Sequence, residues 1–412
     1  ERLRDVFRKY NTEGLFYAHA SVGTLHVRPI LNAKSEQDIK NMKAIAKEAF
    51  TMVKEYKGSH SGEHGDGIVR SEFHEMMFGK KIVGAFEEIK DTFDPKGLLN
   101  PGKIVRAFKS DDRTLMRYKP DYKAENISTH YDWSAWGQLS DAVEMCNNNG
   151  ACRKLDSGVM CPSYRVTMEE KDLVRGRANT LRLALSNQLP KGSFASKEMF
   201  ETMELCVSCK ACQRECPMSV DMAKMKSEFL SHYYKKFTMG IKDRIISDMP
   251  RLIWLIKITA PVFNKVKNIP LLDKVIEAFG FSTKREMPEV QNLTPLKEIY
   301  KTQPTFEKKV ILLADTFNIN FEVKNIMYAI KVLNKFGFQA IIPSFDDNNL
   351  SRPLCCGRTY ISYGQMDKAK FEMNRVTNYL YNNGYAEMPV VGIEPSCLLT
   401  FNDEFKALKG IE

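Results

Sequence analysis

The chain has 412 residues and a mass of 47.2 kDa, enough for two to four domains. With 43% hydrophobic and 27% charged residues it can bury real cores, which excludes global disorder. Lys and Arg outnumber Asp and Glu by 61 to 51, a surplus that permits anionic substrates or an anionic membrane surface, and no aromatic-and-basic nucleic-acid motif accompanies it. The chain starts at Glu1, without Met or a signal peptide. No stretch approaches 18 consecutive apolar residues; the nearest, 252–256, is cut short by Lys257, so no transmembrane helix is expected.

The first block spans roughly 1–107 and reads as α+β. Residues 25–27 predict a strand. The spacing of Ile39, Met42, Ala46, Phe50 and Val53 predicts a helix over 36–57, with Ser35 placed to cap it and Gly58 following. A second helix over 80–92 ends before the turn signal Asp94-Pro95-Lys96-Gly97. His19 and His26 flank a glycine-containing loop, and Ser61-Gly62-Glu63-His64-Gly65-Asp66-Gly67 follows. Two imidazoles and a carboxylate suit a divalent-metal site with positions open to substrate, whereas lone histidines are more often structural; residue type alone leaves both readings standing.

A polar, aromatic linker is expected over 108–137, then a mainly helical block over 138–285 with cysteine loops between its helices. The cysteines crowd into 146–216 and 355–397, with none before 146. Clustered CxxC spacing in a large chain reads as metal ligation in a reducing, cytosolic compartment rather than as a disulfide framework. Cys206-Val-Ser-Cys209-Lys-Ala-Cys212-Gln-Arg-Glu-Cys216-Pro217 is CxxCxxCxxxCP, in which three thiolates wrap one cubane and the fourth points to another. Upstream stand Cys146, Cys152 and Cys161-Pro162, with Asn149 where a further cysteine would fall. By the crossing rule Cys161 completes the cubane of Cys206, Cys209 and Cys212. Cys146, Cys152 and Cys216 are then one ligand short, leaving a three-iron cluster, a cubane with an unusual ligand, or no cluster. Arg165, Arg175 and Arg177 either offset cluster charge or lie on the surface. The tail over 229–270, including Trp254, alternates basic and aromatic residues; packing on the next domain is favoured over a membrane-surface or partner helix.

The third block, 306–412, alternates as β-α-β-α-β: strands at 310–314, 339–342 and 389–393, helices at 321–336, closed by Gly337, and at 364–384. That order implies a parallel sheet with ligand chemistry beyond its carboxyl ends, where Cys397 lies.

The segments His19 to Arg28, Ser61 to Gly67 and Asp94-Pro-Lys-Gly-Leu-Leu-Asn-Pro-Gly-Lys-Ile104 resemble the C-terminal domain of FAD-linked oxidases, a family that includes D-lactate, glycolate and D-2-hydroxyglutarate dehydrogenases. Continuation into the cysteine block resembles fused bacterial members that carry an iron–sulfur portion. Cys355-Cys356-Gly-Arg-Thr-Tyr360 and Glu394-Pro-Ser-Cys397 resemble their cysteine-rich CCG domain. The resemblance implies a multidomain α+β architecture: a flavoenzyme C-terminal (cap) domain, an α-helical ferredoxin-like domain and an α/β parallel-sheet CCG domain. It further implies that His19, His26 and Glu63 hold a divalent metal such as zinc or manganese, that His64 is the general base, that Asn100 lies near the flavin and that Arg28 touches substrate. Ala-Ser-Val-Gly in the first loop departs from the commoner Gly-Asp-Gly-Asn type, so flavin-side contacts there differ. Cys355, Cys356 and Cys397 lack two companions of the CCG site, since Asp315-Thr316 and Glu394 stand where cysteines are expected; a degenerate site is expected.

The expected activity is oxidation of a small anionic D-2-hydroxy acid, D-2-hydroxyglutarate or D-lactate, with FAD and a 4Fe-4S cluster passing electrons to a quinone or redox protein. An electron-transfer or assembly subunit completing a partner's flavin site is the alternative, and a cluster-binding redox sensor a weaker one. The family's FAD-binding segment has no counterpart here, so the chain is expected to be a piece of a longer protein with the CCG portion also incomplete. A cytoplasmic location, peripheral contact with the inner membrane face and homo-oligomerisation are compatible with these features.

Overall fold

The computed structural model describes residues 1–266, 270–286, 288–346 and 352–411. The chain divides into two compact units, 1–123 and 124–412.

In the first unit, β1 (Gly14–His19) and β2 (Thr24–Pro29) form an antiparallel hairpin whose register pairs His19 with Thr24 and Tyr17 with His26. The expected strand at 25–27 lies inside β2; β1 was not read from the sequence. Phe16 and Val27 pack with Val6 and Phe7 of the helix Arg2–Lys9 and Ile45 of the helix Glu36–Glu55. The latter realises the helix expected over 36–57, and Ser35 Oγ accepts from the Asp38 amide as its cap. Lys57, at φ +57°, rather than Gly58, takes the left-handed conformation beyond its end. The helix Lys80–Phe93 stops at Asp94, whose carboxylate accepts from the Leu98 and Leu99 amides and from Lys90.

The second unit is mostly helical, with one small sheet. Part of the expected linker belongs to its interior: Tyr131 and Trp133 are buried in a core shared with the helices Val174–Leu185, Lys197–Glu204 and Met222–Lys236. Two large aromatic rings drive that burial more strongly than the surrounding polar residues oppose it. Phe229, Leu230 and Tyr233, from the start of the basic and aromatic tail, lie in the same core, so this part of the tail packs inward. The helix Met249–Val266 continues it; the side chain of Trp254 and residues 267–269 lie outside what is described. Among the described residues, no helix is long and apolar enough to cross a membrane.

The sheet is parallel with order β4-β3-β5, from β3 (Lys308–Leu313), β4 (Phe338–Ile341) and β5 (Val390–Gly392). The helix Val323–Lys335 crosses from β3 to β4 and ends at Gly337, φ +78°. Val310 to Leu313 form an unbroken buried run, as a strand covered on both faces requires. The helix Met366–Asn382 packs Met366, Ala369 and Met373 into the same core as the cysteine-bearing helices.

Candidate functional site

Hairpin register converts the His19–His26 separation into proximity. Paired residues share a face and alternate residues return to it, so Tyr17, His19, Thr24, His26 and Arg28 project on one side. The loop carrying Glu63 lies against that side. A Cβ on Gly62 would stand 2.8 Å from Thr24 Oγ1 and 3.0 Å from its Cγ2, so only glycine permits this approach. Glu63 thereby reaches both histidines: Oε1 is 2.7 Å from His26 Nδ1 and Oε2 is 3.0 Å from His19 Nε2. His64 Nε2 lies 3.6 Å from Oε1, and Ser61 Oγ donates to the His64 carbonyl. The hydrogen bond from His26 is the main force holding the Glu63 carboxyl below its usual range.

These donors suit a divalent cation. Ligand atoms of His26, Glu63 and His64 lie within 4.8 Å of one another, with His19 on the other carboxylate oxygen. Arg28 Nε donates to His26 Nε2 at 2.8 Å. Guanidinium only donates, so Nε2 is an acceptor and the ring proton sits on Nδ1, facing Glu63. His26 would bind a cation through Nδ1 once that proton moves to Nε2 and Arg28 turns away. His19 and His64 are more than half exposed, leaving the cluster open. Asn100, with φ +44°, lines a separate apolar groove together with Gly65, Asp66, Phe86 and Phe93.

In the second unit, Cys161, Cys206, Cys209 and Cys212 line one small cavity, the grouping expected from the crossing rule. Glu215, at the end of the helix Ala211–Glu215, accepts from the Val159 and Met160 amides at 2.8 and 3.0 Å and so draws Cys161 to the other three. Arg177 is fully buried beside them, with Nη1 3.7 Å from Cys161 Sγ, Nε on the Thr202 carbonyl and Nη2 3.6 Å from Asp172. Lys226 donates to the Cys206 carbonyl at 2.6 Å. Burial pushes the Cys212 thiol up to about 12, so ligation there must displace a proton. Four thiols, a buried cation and no lining carboxylate fit a 4Fe-4S cubane, whose thiolate ligands and net negative charge such surroundings match.

Cys146 and Cys152 are both buried, and Arg175 interacts electrostatically with both. The turn Ala151–Arg153 packs on the helix that Cys216 follows. Asn149 is spent on a local turn, accepting from the Ala151 amide, and the Cys146 thiol donates to Asn148 Oδ1 at 3.8 Å.

Cys355, Cys356 and Cys397 line a cavity at the carboxyl end of β3 with Asp315, Thr316 and Arg358. Cys355 is held well above the usual thiol range by its contact with Cys356 and by burial. Cys356 is also raised, since Cys397 and burial outweigh the opposing contact with Cys355. Asp315 accepts from the Phe317 and Asn318 amides, and Glu394 caps the helix Pro395–Thr400. Both residues standing at expected cysteine positions thus accept from nearby backbone amides. Sequence reasoning assigned no role to Gly62, His60 or Lys226; Gly62 lies inside the 61–67 motif and His60 directly precedes it, which was the available signal for those two.

Residues 1–104 match the family model for FAD linked oxidases, C-terminal domain, and residues 142–220 the 4Fe-4S dicluster domain. The whole chain is 26% identical over 466 residues to a D-2-hydroxyglutarate dehydrogenase of Escherichia coli, 45% of which it covers, and 26% identical over 469 residues to one of Pantoea ananatis, covering 44%. A quarter of the chain is 33% identical over 105 residues to a D-lactate dehydrogenase of Archaeoglobus fulgidus, 23% of which is covered. The chain thus spans less than half the length of the curated relatives it matches end to end. No solved structure matches.

Proposed function

We propose that this chain supplies the metal-and-base cluster and the iron–sulfur relay of an FAD-dependent D-2-hydroxyacid dehydrogenase acting on D-2-hydroxyglutarate or D-lactate. The observation that carries this reading is the convergence of His19, His26 and His64 on Glu63, in a chain that also gathers four cysteines around one cavity. In this reading the first unit is the flavoenzyme cap, residues 138–285 the ferredoxin-like portion and 306–412 the CCG portion. FAD would accept a hydride from the substrate carbon, and the cluster would carry electrons onward singly.

The residues divide the remaining work. His19, His26 and Glu63 would hold a divalent cation that orients the substrate's hydroxyl and carboxylate and lowers the hydroxyl pKa. His64, exposed and adjacent, would take the hydroxyl proton; a neutral imidazole suits that near pH 7. Arg28, freed from His26, would face the substrate carboxylate. The electron acceptor, a quinone or redox protein, would be met at the cytoplasmic side.

A screen of D-2-hydroxy acids against the full-length protein with an artificial acceptor tests this. D-2-hydroxyglutarate or D-lactate should reduce the acceptor, and His64→Ala should lower kcat at least a hundredfold. Turnover in that variant equal to the parent would refute His64 as base.

A further inference from the structure

We propose that His60, Asp66 and His74 form a second divalent-metal site, selective for zinc or a zinc-like ion, which pins the loop bearing Glu63 and His64. Their ligand atoms lie within 4.8 Å of one another. His74 Nε2 is 2.7 Å from Asp66 Oδ2, and His60 Nε2 is 3.7 Å from Asp66 Oδ1.

Hydrogen-bond accounting requires something between them. The His60 side chain is 0% exposed, yet neither ring nitrogen has a hydrogen-bond partner, and Asp66 Oδ1 is also buried without one. Buried polar atoms left in that state call for a water or an ion. His74 adds a tautomer constraint. Its Nδ1 is 2.9 Å from the Ile104 carbonyl, which can only accept, so the proton sits on Nδ1. In the neutral ring Nε2 is then a lone pair aimed at a carboxylate oxygen. A protonated His74 would satisfy that contact but would still leave the His60 nitrogens and Asp66 Oδ1 unpaired. A cation among His60 Nε2, Asp66 and His74 Nε2 engages all three residues at once and gives Asp66 Oδ1 and one His60 nitrogen a partner.

The surroundings match a closed metal site. An imidazole ligand that donates its other N–H to a backbone carbonyl has the outer hydrogen bond usual for metal-bound histidine. Phe50 and Phe78 pack edge-on against His60 at 5.0 and 5.8 Å, and the Arg70 guanidinium reaches toward the Gly65 carbonyl. Asp66, 18% exposed, borders the groove that holds Asn100 and offers an entry path. Two imidazoles and a carboxylate suit zinc, with the fourth position left to water.

The site stands apart from the Glu63 cluster, and counting metals separates the two. The full-length protein, carrying its cluster, is equilibrated with excess zinc, desalted and assayed for zinc and iron independently. Two zinc equivalents per chain are expected. His60→Gln and His74→Gln should each remove one, and Glu63→Gln should remove the other while leaving this one in place. A parent holding one equivalent or fewer, with content unchanged in His60→Gln and His74→Gln, would overturn the proposal and leave a hydrated His–Asp network. If either histidine variant misfolds, the zinc content and zinc X-ray absorption of Glu63→Gln decide: no zinc held there by two imidazoles is equally fatal to it.

Discussion

Arg177 sets its Nη1 3.7 Å from the Cys161 sulfur, with none of its side chain open to water. A buried guanidinium beside one thiolate of a cubane favours the more negative, reduced state. Asp172 at 3.6 Å from Nη2 offsets part of that charge. Replacing Arg177 by Met should therefore lower the cluster's midpoint potential, by on the order of tens of millivolts. An electron paramagnetic resonance redox titration reads this directly, and an unchanged midpoint with the cluster intact would show that Arg177 only packs.

Gly176 is what lets that arginine in. A Cβ there would come within 1.9 Å of the Glu170 carbonyl oxygen, which backbone alone must absorb. Gly176→Ala should cost about 1–3 kcal/mol of stability and shift the cluster's spectrum, because it displaces the start of the Arg177 helix. Chemical denaturation measures the first, visible absorption the second.

Gly62 has the corresponding role in the other unit. Gly62→Ala should push the Glu63 loop off Thr24 and lower kcat/KM by roughly tenfold or more while iron content stays constant. Turnover within twofold of the parent would mean the loop yields without disturbing Glu63.

Acid should act through Asp94. Its carboxyl is lowered to about 2, first by the Lys90 hydrogen bond and then by the Leu99 amide. A depressed carboxylate contributes stability that is complete above its unfolded pKa and is lost as pH falls through the folded value. The melting-temperature penalty of Asp94→Asn should thus be largest near neutrality and shrink between about pH 4 and pH 2. A penalty independent of pH would assign the loop's order to packing alone.

The cysteines divide by expected iron content. Cys209→Ser and Cys161→Ser should each bleach the broad visible absorbance. Serine at Cys355, Cys356 or Cys397 should leave iron unchanged, because Asp315 and Glu394 are already engaged by backbone amides. Iron lost on Cys397→Ser would reveal a working cluster there.

What was readable in advance follows how local each signal is. The CxxCxxCxxxCP run is its own geometry, so the grouping of Cys206, Cys209 and Cys212 with Cys161 could be expected, as could the helix Glu36–Glu55 and the three parallel strands. The His19, His26 and Glu63 set could be listed by residue type, but its assembly depends on a hairpin whose first strand, Gly14–His19, has no strong alternation of buried and exposed positions. Arginine is usually a surface residue, so the complete burial of Arg177 could not be separated from its exposed alternative. The depth of Tyr131 and Trp133 was hidden by polar neighbours, and the His60–Asp66–His74 grouping by the stronger pattern around Glu63.

Lys210, inside the cysteine loop, is tied at 2.7 Å to Asp403, 193 residues further along, and Arg358 donates to the Ser208 carbonyl beside it. During synthesis the loop emerges long before either tether exists. At about 5–20 residues per second, the wait for Asp403 is roughly 10–40 s. The loop therefore exists before its tethers do, and stays unlatched until Asp403 has been synthesised. Ribosome-bound chains stalled before 403 should exchange iron more freely than released ones.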